Sequence, residues 1–181
     1  MSGILVLQPL VMSAVFGWAE GAFSVLMTGV ILVMAGSQML LFPPLQAKLG
    51  LAPTGALGFA VGGAALLGMA FVDEASASDV LLWVVLIATF VFSIALASPA
   101  INVLIANLAD PAKMGFYMSL SSVAEQAGRI GAPVALGWLY ERRSPLAALL
   151  SWASGSFLAA AGFACVAVYS ESSCRDRQGL V

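Results

Sequence analysis

Residues 80–108 read VLLWVVLIATFVFSIALASPAINVLIANL, a run of 29 positions without a single charged side chain. About 20 apolar residues in an α-helix are enough to cross the ~30 Å of hydrocarbon in a bilayer. This stretch therefore predicts a membrane-spanning helix. Pro99, near its far end, predicts a kink or a strong tilt of that helix.

The whole chain has the same apolar character. Of its 181 residues, 61% are hydrophobic and 9% are charged, and the mean hydropathy is +1.02. A soluble domain is roughly one quarter charged, so this composition excludes a soluble globule. At ~20 residues for each span, the length allows roughly six spans. We therefore predict an all-α fold, a polytopic transmembrane helical bundle.

Further apolar runs on both sides of this stretch predict about five full spans in total. Their approximate boundaries are 23–45, 54–72, 80–108, 115–140 and 145–169. A shorter run over 4–18 predicts a partial span at the N-terminus. Residues 1–169 then form the transmembrane bundle, and residues 170–181 form a polar tail. Pro43 and Pro44 predict that the first full span ends or kinks there, because proline has no N–H group to donate.

The charged and polar residues exclude several classes of protein. Seven basic and nine acidic residues give a net charge of -2 without a basic stripe, so we expect no nucleic-acid partner. Histidine is absent, which removes the usual general base and the commonest zinc ligand. The sequence has no phosphate-binding loop and no base to activate its serines. We expect no enzyme and no catalytic, cofactor-binding or metal-binding residue.

The loops between predicted spans indicate an orientation in the membrane. Alternate loops share a side, and lysine and arginine are enriched on the cytoplasmic side. One side collects four basic residues and the other collects two. The four are Lys48, Lys113, Arg175 and Arg177, and the two are Arg142 and Arg143. We therefore predict a multi-pass integral membrane protein whose C-terminus is cytoplasmic.

Two charges lie near the middle of the predicted span over 115–140. Glu125 and Arg129 are four residues apart, which places them one turn apart on the same helix face. A charge at this depth is costly and normally faces the bundle interior, a partner or a water-filled cavity. Two interpretations stay open. Either Glu125 exchanges a proton during transport while Arg129 tunes its affinity or holds an anionic group, or the pair is structural and locks a conformation.

Small residues predict close contacts between helices. Gly58 and Gly62 form a small-xxx-small pair that lets a neighbouring helix approach. A second stripe, beside the charged face, comprises Ala124, Gly128, Gly131 and Ala135 and favours the same kind of packing. Proline breaks helical backbone pairing, and a kink beside a charged face predicts a moving part. The candidate hinge or packing residues are Pro99, Gly128, Gly131 and Pro133.

Two amide side chains are candidates for lining a cavity. Gln38 lies deep in the first full span, where it either lines a cavity or makes a hydrogen bond to another helix. Asn102 follows Pro99, and it either lines a cavity or satisfies carbonyls that this proline leaves free.

Residues 98–140 resemble a known family of transporters. They read SPAINVLIANLADPAKMGFYMSLSSVAEQAGRIGAPVALGWLY and are similar to the tenth and eleventh spans of the major facilitator superfamily. Those spans carry a proline and an asparagine late in the tenth helix, a short D-P-x-x-x-G loop, and an S-x-G-R-x-x-G-P-x-x-G run in the eleventh. The matching positions here are Pro99, Asn102, Gly115, Gly128, Arg129, Pro133 and Gly137.

An upstream stretch resembles the same family. Residues 16–50 read FGWAEGAFSVLMTGVILVMAGSQMLLFPPLQAKLG and look like the end of the seventh helix followed by the eighth helix and its loop. The matching positions are Gln38, Leu45, Lys48 and Gly50. The closest resemblance is to the drug:proton antiporter branch, including tetracycline-resistance-like members. Pro43 and Pro44 depart from the pattern, since the family usually has glycine and arginine in that loop.

The resemblance implies the C-terminal half of a transporter, with the N-terminal half absent. A complete member has two six-helix halves with the substrate site between them. The implied function is membrane transport of a small organic solute, by proton-coupled export or antiport, as a half-transporter or fragment. Its partners would be the lipid bilayer, a small-molecule substrate, and an N-terminal half or a second copy. The alternative is a non-transporting scaffold or assembly subunit, or a pseudo-transporter.

Overall fold

The structure is a computed structural model, and it describes residues 20–72, 77–142 and 145–178. The predicted partial span over 4–18 lies outside these ranges. Within them the chain forms six α-helices and one short 3-10 helix, Pro111–Lys113. The helices are α1 Glu20–Leu40, α2 Phe42–Leu49, α3 Leu51–Ala70, α4 Ala77–Leu108, α5 Met114–Arg142 and α6 Pro145–Gln178. The prediction of an all-α fold is confirmed.

A bend of 45° separates α1 from α2. Pro43 and Pro44 lie in the first turn of α2, where the backbone N–H groups have no helical partner and proline is tolerated. Leu45 N still donates to Leu41 O at 3.1 Å across the break. The prolines therefore mark a kink, and the chain stays helical for one further turn after them.

Gly50 separates α2 from α3 with a φ of 86°, a backbone conformation that favours glycine. Because only this residue intervenes, α3 begins at Leu51, earlier than the predicted start at residue 54. At the other end of the chain, α6 continues past the predicted boundary at residue 169 as far as Gln178.

Helix α3 lies at the centre of the described chain. It makes its most extensive contacts with α4 and α6, while α1 packs on α4 and α5 makes few contacts, mainly with α6. The main core lies between α3 and α4 and reaches α1 and α6. Its buried hydrophobic members include Val30, Ala65, Leu66, Met69, Trp83, Ile87, Phe90 and Ala153.

The glycine pair in α3 permits the close contact with α4. A Cβ atom on Gly62 would lie 2.5 Å from Ser93 Oγ, and a Cβ atom on Gly58 would lie 2.9 Å from Ser93 O. Real Cβ atoms do not approach other atoms so closely. At Gly58 the nearest atoms belong to the backbone of α4, so a larger residue would require α4 to shift, whereas at Gly62 the Ser93 hydroxyl would have to rotate away. The predicted close approach of a neighbouring helix is confirmed, and that neighbour is α4.

Gly58→Ala is therefore expected to lower the free energy of unfolding by about 1–3 kcal/mol, as over-packed cores do. The added methyl group would meet Ser93 O and Ala97 N, which are backbone atoms of α4 and cannot move independently. Gly36→Ala is the matched control, because nothing lies within 4 Å of a Cβ atom there. Thermal unfolding in detergent micelles measures both variants. Equal effects on the two melting temperatures would contradict a tight α3–α4 contact.

Three stretches among the described residues are long and apolar enough to cross a membrane: Leu51–Ala70, Asp79–Leu108 and Ala147–Ala167. The bent pair Ser24–Leu40 and Phe42–Leu49 makes a fourth if it is counted as one span. Helix α5 is long enough but is not in this set. Its charged residues and its serines make it more polar than α1, α3 and α4.

Candidate functional site

The two charges near the middle of α5 form an ion pair. Arg129 Nη2 donates to Glu125 Oε1 at 2.7 Å, which is the i,i+4 geometry that their spacing predicts. Neither side chain is enclosed by the described part of the protein, since Glu125 is 57% exposed and Arg129 is 49% exposed. The pair is therefore accessible to a ligand within the described part of the protein.

This ion pair opens onto a cavity of about 420 Å³, here called the polar cavity. Helices α3, α4, α5 and α6 all contribute to its wall. The lining residues are Phe59, Ser98, Ile101, Asn102, Ser121, Glu125, Gly128, Arg129, Ala132 and Trp152. The structure thus brings four of the residues predicted from sequence together: Asn102, Glu125, Gly128 and Arg129.

A second cavity of about 350 Å³ lies beside the first and is here called the apolar cavity. Its lining residues are Gly58, Phe59, Gly62, Phe90, Ser93, Ile94, Ala97, Ala132, Trp152, Gly155 and Ser156. Phe59, Ala132 and Trp152 line both cavities, so the two share a wall.

The apolar cavity has little hydrogen-bonding capacity to offer. Its two hydroxyl groups already donate to their own helices, Ser93 Oγ to Phe90 O at 2.6 Å and Ser156 Oγ to Trp152 O at 3.2 Å. The rest of its lining is aromatic, aliphatic or glycine. A ligand there would be held by shape and apolar contact.

The other candidate residues predicted from sequence line neither cavity. Gln38 is half-buried on α1 and lines neither cavity. Pro99 follows Ser98 in α4, and Pro133 follows Ala132 in α5, so each proline adjoins a lining residue without belonging to the lining. Gly131 also lies outside both linings.

Sequence reasoning missed several lining residues, among them Phe59, Ser121 and Trp152. A signal for Ser121 was present, since it lies one turn before Glu125 on the same face of α5. Trp152 is the only tryptophan in the predicted span over 145–169, but the sequence does not reveal which way its side chain points. Phe59 required knowledge of how α3 packs.

The small-residue stripe of α5 is not covered by any helix in the described ranges. Nothing lies within 4 Å of a Cβ atom placed on Gly128, Gly131 or Gly137. Large apolar side chains on α5, including Val123 and Ile130, are exposed as well. The partner helix that this stripe predicts is thus not found among residues 20–72, 77–142 and 145–178.

The residues described also contain no group of three or more histidine, cysteine, aspartate or glutamate side chains that could hold a metal ion.

One known protein family matches nearly the full length of the chain. The family described as the Major Facilitator Superfamily matches residues 1–178. Searches against curated proteins and against solved structures returned no match. The matched region contains every helix described above, including the ion pair and both cavities.

Proposed function

The chain belongs to the Major Facilitator Superfamily of membrane transporters, and on this premise we propose that it serves proton-coupled export of a small organic solute. The transport cycle exchanges solute for protons, and the carboxylate of Glu125 carries the proton. As a member of this family the protein is a multi-pass integral membrane protein and not an enzyme. In our proposal its C-terminus lies in the cytoplasm, following the distribution of lysine and arginine in the loops.

The observation that carries this proposal is the Glu125–Arg129 pair on the wall of the polar cavity. A carboxylate and a guanidinium in contact stabilise each other's charged forms. When Glu125 binds a proton, it loses its charge, and the attraction between its carboxylate and Arg129 is lost. The pair therefore has two electrostatic states, and a proton selects between them.

Solute binding acts on the same pair. A solute that contacts Glu125 or Arg129 competes with their 2.7 Å contact, and so it changes the affinity of Glu125 for a proton. By thermodynamic linkage, the proton changes the affinity for the solute by the same factor. This reciprocity is what exchange of solute for proton requires.

A second helical unit completes the site in our proposal. The ion pair and the small-residue stripe of α5 are uncovered within the described ranges. A charge facing lipid is expensive, so this face belongs against protein or a water-filled cavity. Transporters built from two repeats place their substrate site between the repeats near the bilayer midplane. We assign the face to a six-helix N-terminal half of the same family.

Reconstitution into liposomes tests this proposal. The chain is incorporated alone or with a six-helix N-terminal half supplied as a separate polypeptide, and a pH gradient is imposed. A pH-sensitive dye in the lumen reports proton movement when a lipophilic cation or an aromatic amino acid is added. We expect solute-dependent proton movement only when both halves are present.

The other outcomes of this experiment each contradict one part of the proposal. Proton movement with the chain alone would show that a second copy, and not an N-terminal half, covers α5. An assembled pair that moves neither solute nor protons would overturn the transport function. It would instead favour a scaffold or assembly role for the chain.

A further inference from the structure

We propose that the solute is a zwitterion with an apolar, ring-sized body. Its body occupies the apolar cavity, and its cationic and anionic groups bind Glu125 and Arg129. This substrate class rests on the transport function proposed above and narrows it.

The apolar cavity selects the body of the solute. Because Ser93 and Ser156 already donate their hydroxyl protons within their own helices, a sugar or another polyhydroxyl group would gain few hydrogen bonds there. Apolar groups lose no hydrogen bonds when they enter this cavity, and they make favourable van der Waals contacts within its volume of about 350 Å³. Phe90 and Trp152 provide aromatic faces in its wall.

The ion pair selects the charge of the solute. A monovalent cation that binds Glu125 separates it from Arg129, and a monovalent anion that binds Arg129 separates it from Glu125. Either way the favourable contact between the two charges is lost, and the bound solute replaces it for only one of them. A zwitterion gives each residue an opposite charge in place of the 2.7 Å contact that it breaks. The site then stays neutral overall.

The shared wall allows one molecule to use both features. Trp152, Phe59 and Ala132 line the apolar cavity and also the polar cavity that contains the ion pair. A molecule whose ring lies against Trp152 can extend its polar end into the polar cavity, whose wall includes Glu125 and Arg129. Neither a purely apolar nor a purely ionic solute uses both cavities.

Equilibrium binding to the chain assembled with the N-terminal half in lipid nanodiscs tests this inference, with ligands that share a benzene ring and differ in charge. They are phenylalanine as the zwitterion, 2-phenylethylamine as the cation, 3-phenylpropanoate as the anion and 3-phenylpropanamide as the neutral form. Glycine is the zwitterion without a ring. We expect phenylalanine to bind about tenfold or more tightly than each of the others, since hydrogen bonds to charged groups are the stronger ones.

Variants of the two ion-pair residues should change the preferred charge of the ligand in opposite directions. Glu125→Gln leaves Arg129 as the charged group, so the tightest ligand is expected to become 3-phenylpropanoate. Arg129→Gln leaves Glu125, so the tightest ligand is expected to become 2-phenylethylamine. Glu141→Gln, near the end of the same helix, is the control and should leave phenylalanine preferred. A variant that gains affinity for a new ligand has folded.

A variant of the apolar cavity tests the position of the ring. Gly155 lines this cavity, and nothing lies within 4 Å of a Cβ atom there, so Gly155→Leu adds a side chain at the cavity wall whose first atom meets no neighbour. We expect it to weaken phenylalanine binding about tenfold, whereas Gly162→Leu, equally free of close neighbours and outside both linings, should not.

Two results would overturn the inference: 2-phenylethylamine binding as tightly as phenylalanine, or Gly155→Leu leaving phenylalanine binding unchanged. Binding is measured without a proton gradient, so either of these two results is distinct from a failure of proton-coupled transport. Phenylalanine preference without proton movement would instead overturn the proposed function and leave the binding site in place.

Discussion

Replacing Glu125 with glutamine is expected to abolish coupling between solute movement and the proton gradient in the assembled transporter. Glutamine has nearly the shape of glutamate and can still accept a hydrogen bond from Arg129 Nη2, but it cannot bind and release a proton. The site then stays in one electrostatic state throughout the cycle. Solute exchange down its own gradient should persist at solute concentrations high enough to offset the weaker binding of this variant, because exchange requires no change of protonation.

Two flux measurements in liposomes separate these effects. Uptake driven by a pH gradient should fall to the background level of empty liposomes, while counterflow of labelled against unlabelled solute should continue. Glu141→Gln removes the same charge near the end of α5 and should leave both fluxes unchanged. Proton-driven uptake that survives in Glu125→Gln would refute the role of Glu125 as the proton carrier.

The structural interpretation of the ion pair makes a different prediction. If the Glu125–Arg129 contact only stabilises α5, each single variant should lower the melting temperature. The double variant Glu125→Gln with Arg129→Gln should recover most of that loss, since it leaves no unpaired charge. An exposed i,i+4 pair contributes about 0.3–0.5 kcal/mol, so under this interpretation the loss is small and coupling is unaffected.

Much of the fold could be predicted from local sequence. Uninterrupted apolar runs locate α3, α4 and α6, because hydropathy over ~20 residues is a property of each segment alone. Gly58 and Gly62 indicated a close helix contact because small residues four positions apart let two helix backbones approach each other. The boundaries were less predictable. Proline in a first turn is compatible with helix, so Pro53 did not delay α3 to residue 54.

The candidate site could be predicted only where its residues share one helix. Glu125, Gly128 and Arg129 lie on one face of α5, so their spacing alone places them together. Asn102 reached the same cavity through the packing of α4, and the sequence left its role open. Gln38 was an equally reasonable candidate by composition, and the structure places it on α1, away from both cavities. Such differences depend on contacts between helices, which hydropathy does not encode.

The largest effect on stability is expected for Leu66→Ala in α3. Leu66 is 0% exposed and lies in the core between α3 and α4, so its truncation leaves a cavity that the neighbouring side chains fill only in part. Core substitutions of this type cost about 2–5 kcal/mol in soluble proteins, and the part of that cost that comes from the cavity remains in a bilayer. Leu158→Ala in α6 is the matched control, since Leu158 is 75% exposed and a change there costs within about 0.5 kcal/mol.

These two leucines differ in their packing and not in their transfer from water, because in a bilayer burying a leucine no longer removes it from water. Lipid tails are as apolar as a leucine side chain, so helices gain nothing by hiding leucine from lipid and associate through packing instead. Whatever Leu66→Ala costs is therefore lost contact between α3 and its neighbours. Unfolding in mixed micelles of mild detergent and dodecyl sulfate measures that cost. Equal losses for Leu66→Ala and Leu158→Ala would mean that α3 is not the central helix of the bundle, and both cavities, whose walls it helps to form, would lose their structural basis.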